Sequence, residues 1–157
     1  MNAKENMQMK YRGYINQEHL VLTVTLSTYV KTAPAPNYRP ETDISISRWG
    51  RFWEREFVYR VRRRLPGRAP LDHDYAVELS PGGNWHYHGL LATMKEFEHC
   101  LWKDGSLHRR LERDIRSLAF NDGLYRPFRI NDFLIEPVKN TEAWCQYITK
   151  QNSSLLG

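Results

Sequence analysis

The sequence predicts an α+β protein: an antiparallel central sheet flanked by helices. Three observations predict it. His19–Thr28 alternates with period two, two short apolar runs are joined by a Pro-Gly-Gly turn, and further stretches recur with helical period. At 157 residues the chain is read as one domain, able to bury roughly two thirds of its unfolded surface. A composition 41% hydrophobic and 26% charged excludes wholesale disorder. Apolar runs fall far short of the ~20 residues a membrane-spanning helix requires, and no basic-then-apolar leader is seen. Two cysteines, Cys100 and Cys145, are too few for a metal tetrad or a disulfide framework. The expectation is a soluble protein of a reducing compartment.

Taken in order, residues 1–18 are polar without a sustained period and read as a loose lead-in to a domain over 19–157. In the first strand Leu20, Leu22, Val24 and Leu26 face one way, and Val21, Thr23, Thr25 and Ser27 the other. Three prolines make Lys31–Asp43 a loop. From Ile44 to Leu65 the period is helical: Ile46, Trp49, Trp53, Phe57 and Val61 form a stripe that reads as core, ended by Pro66-Gly67. Arg48, Arg51, Arg55, Arg62 and Arg63 lie mostly outside it, as a solvated face or a phosphate-contacting one.

Tyr75–Leu79 and His86–Leu91 surround Pro81-Gly82-Gly83 as a hairpin. Thr93-Met94-Lys95-Glu96 fits a capping box opening a short helix that ends near Lys103-Asp104-Gly105. Ser106 is expected to cap a second helix with Leu107, Leu111, Ile115 and Leu118 buried, closed by Asn121-Asp122-Gly123. Phe128–Val138 is a strand of less regular alternation. Asn140 or Thr141 then caps a last helix through Tyr147 to about Gln151.

The sharpest local feature is Trp85-His86-Tyr87-His88. Two residues apart on a strand, His86 and His88 share a face and offer two imidazoles to a divalent metal. Alone, the pattern is short enough to be a structural pair. Glu78 on the preceding strand joins it if the loop runs Pro81–Trp85, which sets Glu78 opposite His88. A four-residue loop sends Glu78 to the other face. Asp72-His73-Asp74, read as loop, is a rival donor set. On the last helix Tyr147, Lys150 and Gln151 stand at i, i+3 and i+4. A phenol near an ammonium is a plausible nucleophile pair, since the cation favours the phenolate; a surface Tyr beside a surface Lys is the plain alternative. The net charge of +5, with five Trp and nine Tyr, favours a polyanion whose bases are open to stacking.

Together these features have a family resemblance. A Thr-bearing first strand (Leu22-Thr23-Val24-Thr25), His86-Tyr87-His88 and Tyr147-x-x-Lys150 occur in order, with Glu78 on the strand before the histidines. Over roughly residues 19–151 the chain resembles the HUH endonucleases, in particular the single-tyrosine replication-initiator (Rep) branch of rolling-circle replication. Tyr87 departs from the bulky apolar residue usual between the histidines and is expected to point away from the metal.

The resemblance implies an RRM/ferredoxin-like palm. It implies Mg²⁺ or Mn²⁺, in preference to Zn²⁺, at Glu78, His86 and His88. Tyr147 would attack a phosphate of single-stranded DNA or an origin hairpin, forming a 5′-phosphotyrosine and a free 3′-hydroxyl, reversibly, so that ends can be rejoined. Lys150 would position or stabilise the phenolate. Thr23, Thr25, Arg48, Arg51, Arg55, Trp85 and Gln151 are the DNA-contact candidates. No phosphate-gripping loop follows, so unwinding is expected from a separate helicase or from a further part of the protein, and a host polymerase is an expected partner. A monomer is expected, with no membrane association. Its expected place is the cytoplasm of a cell carrying a plasmid, phage or virus, or a host nucleus for a eukaryotic virus. The closest alternative is a single-tyrosine transposase of insertion-sequence type, whose tyrosine helix also carries Gln four residues on. A non-catalytic single-stranded nucleic-acid-binding module is the alternative from another class. Relaxases usually place tyrosine before the histidines, and a cupin-like metal protein needs more strands.

Overall fold

Alternation in the first strand sorts the whole molecule onto two sides of one sheet. A computed structural model describes residues 2–30, 51–79, 85–120 and 128–156. The elements are α1 (Ala3–Asn16), β1 (Leu20–Val30), α2 (π-helical over Phe52–Val58, α-helical over Tyr59–Arg63), β2 (Leu71–Leu79) and β3 (Trp85–Thr93). A 3₁₀ turn (Lys95–Phe97) leads into α3 (Glu98–Leu101), then β4 (Trp102–Lys103), β5 (Ser106–Leu107), α4 (Arg109–Arg116), β6 (Ala119–Phe120), β7 (Phe128–Pro137) and α5 (Thr141–Leu156). The sheet is antiparallel in the order β2-β3-β1-β7-β6, and β4-β5 form a separate hairpin. The predicted α+β class and flanking helices are therefore as found.

On one face Leu22, Val24 and Leu26 of β1, Val77, Tyr87, Leu91 and Ile135 pack beneath α2 and α4. On the other, Val21, Leu90, Ala92 and Ala76 pack beneath Tyr11 of α1 and Cys145 and Ile148 of α5. Trp53, Phe57 and Val61 are fully buried, as the helical stripe predicted. Their strict four-residue spacing exceeds the 3.6 of an α-turn, and the wider π-turn keeps Trp53 and Phe57 near one line. The 31–43 loop, the 44–50 part of the helix with Arg48, the 81–83 turn and 121–123 lie outside the described residues.

Several expectations need correction. Residues 1–18 are not a loose lead-in but carry α1, because Asn2 forms a capping box with Glu5 (Glu5 N to Asn2 Oδ1 2.8 Å) and Met7, Tyr11 and Tyr14 make an apolar stripe. Thr93 ends β3 instead of capping a helix, and its hydroxyl donates to Pro70 O at 2.7 Å. Asp104 and Gly105 both have positive φ and turn the β4-β5 hairpin, so Asp-Gly acts as a two-residue turn signal and not as a helix stop. Ser106 belongs to that hairpin, and His108 caps α4, accepting from Arg110 N at 3.3 Å. The uneven alternation of β7 has a local cause: Ser27 pairs with Asp132 and Thr28 with Ile130, leaving Asn131 as a bulge.

Asp72-His73-Asp74 lies within β2, not in a loop, and clamps α1 to the sheet. Tyr11 donates to Asp74 (2.7 Å), Tyr14 to Asp72 (2.6 Å), and Lys10 Nζ reaches Asp74 at 2.6 Å. Burial disfavours the Asp72 charge, but the Tyr14 hydroxyl and Lys10 outweigh it and hold the carboxyl below its usual range. Burial and the Asp72 hydrogen bond push Tyr14 up to about 12; burial works against the Lys10 charge, yet Asp74 and Asp72 raise its pKa overall. The clamp is thus complete above roughly pH 4 and below roughly pH 10. Acid weakens it as Asp72 is protonated through its lowered pKa, and alkali as Tyr14 ionises through its raised one. Calorimetry across pH is expected to show a level melting temperature between these limits and a fall on either side. Tyr14→Phe should shrink the alkaline fall, and an unchanged limb would contradict the assignment.

Gly89 follows His88 and pairs with Val24 and Tyr75. A Cβ there would strike the Trp53 indole and stand 2.8 Å from Asp74 O, which is backbone and cannot swing aside. Gly89→Ala is expected to destabilise by about 1–3 kcal/mol, read from the urea midpoint.

Candidate active site

Strand register brings the sequence-predicted metal ligands onto one face. Glu78 pairs with His86 and Ala76 with His88, while Ser27 pairs with His86 and Thr25 with His88. This differs by two residues from a Glu78–His88 pairing. Leu79 pairs with Trp85, so five residues, 80–84, separate the strands in place of 81–85. A two-residue shift preserves the face. Glu78 is therefore directly across from His86 and diagonal to His88, and it still reaches the latter, with Oε2 3.7 Å from Nε2.

Tyr147 comes from the other side. Asn140, accepting from Ala143 N at 3.0 Å, caps α5; Cys145 and Ile148 bury its inner side. That seat turns Tyr147 over the histidine strand, where its hydroxyl donates a hydrogen bond to Glu78 Oε2 and its ring meets His88 edge-on at 4.8 Å. Thr25, His88, Ala143, Trp144 and Tyr147 line a cleft of about 330 Å³. Leu134, paired with Thr25 on the next strand, stays 57% exposed and extends the sheet floor.

The charges follow from this packing. Burial, with a smaller contribution from His86, lowers the His88 pKa against the opposing pull of Glu78, so the imidazole is neutral near pH 7. Burial and the Glu78 carboxylate push Tyr147 up to about 12, so the phenol is protonated as found. Cys145 is no competing nucleophile, because burial raises its thiol to about 11 and it faces the core.

The donor chemistry suits a divalent cation: one carboxylate and two imidazoles on adjacent strands. Ser27 Oγ lies 3.0 Å from His86 Nδ1, which orients that ring and leaves Nε2 for coordination. Among the described residues, as they stand, no three His, Cys, Asp or Glu side chains are gathered so that they could hold a metal ion. Ser27 and Trp144 carry roles that the motifs did not mark. Their signals were a hydroxyl on the polar face of β1 and an indole three residues before the tyrosine.

Other DNA-contact candidates fare unevenly. Thr25 opens onto the cleft. Thr23 is 4% exposed and donates to Glu136 O at 3.2 Å, so it is a buried packing residue. Arg51 is the N-cap of α2 and Arg55 lies within it, and Trp53 of that helix stacks on Tyr87; strand alternation puts them across the sheet from His86 and His88. Tyr87 itself is buried on that far side, pointing away from the histidines as expected. Lys150 and Gln151 lie on α5, one turn beyond Tyr147; their side chains, that of Trp85 and all of Arg48 lie outside the described residues. No described helix is long and apolar enough to cross a membrane. No protein-family model, no curated protein and no solved structure matches this chain.

Proposed function

We propose that the protein is an HUH-type single-stranded DNA endonuclease and strand transferase that nicks a replication origin. The observation that carries this reading is the meeting of Tyr147 with Glu78 and His88, from α5, β2 and β3, beside an open apolar cleft. The connectivity supports it as well. Helix α2 follows β1, α4 lies between β3 and β7, and the order β2-β3-β1-β7 is that of a ferredoxin-like βαββαβ sheet.

In this mechanism the strand crosses the sheet floor at Thr25 and Leu134, and Trp144 offers an unstacked base a ring to lie on. Tyr147 Oη attacks phosphorus, the P–O3′ bond breaks, and the products are a 5′-phosphotyrosine and a 3′-hydroxyl that can later reverse the step. Glu78 Oε2 accepts the phenol's hydrogen bond in the ground state, and the proton that Tyr147 loses ends on the departing 3′-oxygen. Lys150, one turn on, is the cation that favours the phenolate. A divalent ion held by Glu78, His86 and His88, Mg²⁺ or Mn²⁺, would supply charge stabilisation at a non-bridging phosphate oxygen.

The test is incubation with labelled single-stranded origin oligonucleotides and Mn²⁺, followed by denaturing electrophoresis. A covalent protein–DNA band is expected, lost with chelator and restored by added Mn²⁺. A band of equal intensity in chelator would remove the metal assignment, and no band on any origin or random strand would remove the nuclease reading. The transposase alternative shares this chemistry, but its tyrosine is expected to serve a swapped dimer. Lys150 at the replication-initiator spacing and Glu78 on the strand before the histidines favour the replication initiator.

A further inference from the structure

Alternation along β2 puts Asp72, Asp74 and Glu78 on one face, with Ala76 between them. Each of the three carboxylates accepts a hydrogen bond from a phenol: Asp72 from Tyr14 at 2.6 Å, Asp74 from Tyr11 at 2.7 Å, and Glu78 from Tyr147. The first two are also fixed by a cation, since Lys10 Nζ lies 3.4 Å from Asp72 and 2.6 Å from Asp74. Glu78 meets no lysine or arginine among the described residues, and beyond Tyr147 it approaches His88 Nε2 at 3.7 Å. Two of the phenols are thus structural. The third rests on a side chain that is also an assigned metal ligand.

We infer that Glu78 is a latch with two exclusive partners: the Tyr147 phenol in the resting protein and the divalent cation in the working one. The inference rests on the assignment of Glu78, His86 and His88 as ligands, and deepens it. Glu78 Oε2 both accepts the phenol and is the oxygen nearest His88, so the atom that would meet a cation beside the imidazoles is already engaged. The Tyr147 ring also stands edge-on to His88 at 4.8 Å, over a second ligand. The donor types therefore suit a divalent ion, while the side chains, as they stand, are not gathered to hold one.

Both sides of the latch are free to move. Glu78 is half-exposed, and Tyr147 lies outside the buried side of α5 that Cys145 and Ile148 form. The helix itself need not shift, because rotation about the side-chain bonds of Tyr147 parts its hydroxyl from Oε2. The contact is one hydrogen bond to a half-exposed carboxylate, so releasing it costs a cation on the order of three- to tenfold in affinity. Turning Glu78 toward a cation frees Tyr147 Oη beside the position a phosphate would take. The nucleophile is then released only where the charge that stabilises its target is present.

The test titrates Mn²⁺ into the full chain without DNA and reads the free ion by electron paramagnetic resonance, so that no nuclease activity enters. Tyr147→Phe is expected to bind Mn²⁺ about 3–10-fold tighter than wild type. Tyr14→Phe, which removes the phenol from Asp72 on the same strand, should bind as wild type does. Glu78→Gln should weaken binding, and adding Tyr147→Phe to it should bring no gain. Affinity unchanged in Tyr147→Phe would overturn the inference, and so would a lower one, which would make the phenol a ligand. An equal gain in Tyr14→Phe, or in the Glu78→Gln background, would overturn it as general loosening. Mn²⁺ bound by neither wild type nor Tyr147→Phe would remove the metal assignment together with the latch. Tighter binding by Tyr147→Phe in a chain that forms no DNA adduct would uphold the latch and remove only the nuclease reading.

Discussion

Tyr147→Phe is expected to abolish the covalent DNA product, a loss on the order of 10⁴-fold or more in strand cleavage, because the nucleophilic oxygen itself is gone. The variant should remain folded. Cys145 and Ile148, not Tyr147, seat α5 on the sheet, and the lost hydrogen bond is to Glu78, which is itself 44% exposed. Its cost is about 1 kcal/mol or less. A melting temperature close to wild type with no adduct would therefore locate the loss in chemistry. Persistence of the band in Tyr147→Phe would exclude this residue as nucleophile. Lys150→Ala is a useful companion, since it removes the cation without removing the oxygen and should slow the reaction without abolishing it.

The largest expected effect on stability comes from Trp53→Ala, about 3–5 kcal/mol by urea denaturation. Trp53 is fully buried, stacked on Tyr75 at 5.1 Å and Tyr87 at 6.2 Å, and packed on Phe57 at 4.7 Å. Its indole N–H donates to His73 Nδ1 at 3.0 Å, so truncation opens a cavity and orphans a ring nitrogen. A loss of that size is a large fraction of the 5–15 kcal/mol typical of a whole domain. Trp53→Phe should recover part of it by refilling the space without the N–H. If Trp53→Ala cost under about 1 kcal/mol, α2 would not be anchored as described.

Much of this was readable locally. The β1 alternation separates Leu22, Val24 and Leu26 from Thr23, Thr25 and Ser27, and the structure keeps that division. The hairpin, the last helix and the buried stripe of α2 also came from short-range period and turn chemistry. Helix α1 was legible in principle, through Asn2-x-x-Glu5 and the Met7–Tyr11–Tyr14 spacing, but its polar composition masked both signals. The Asp104-Gly105 turn was readable too, and was outcompeted by the helical signals on either side of it.

What the sequence by itself determined is which residues share a face, because side-chain direction follows from the period of two along a strand and 3.6 along a helix. His86 with His88, and Tyr147 with Lys150, follow from that alone. Only the tertiary structure decided that Glu78 pairs with His86, that Tyr147 hangs over Glu78 and His88, and that Arg51 and Arg55 sit on the far face. Those relations depend on loop closure and on which element packs against which side of the sheet. They are contacts between residues as far apart as Glu78 and Tyr147, and no local period encodes them.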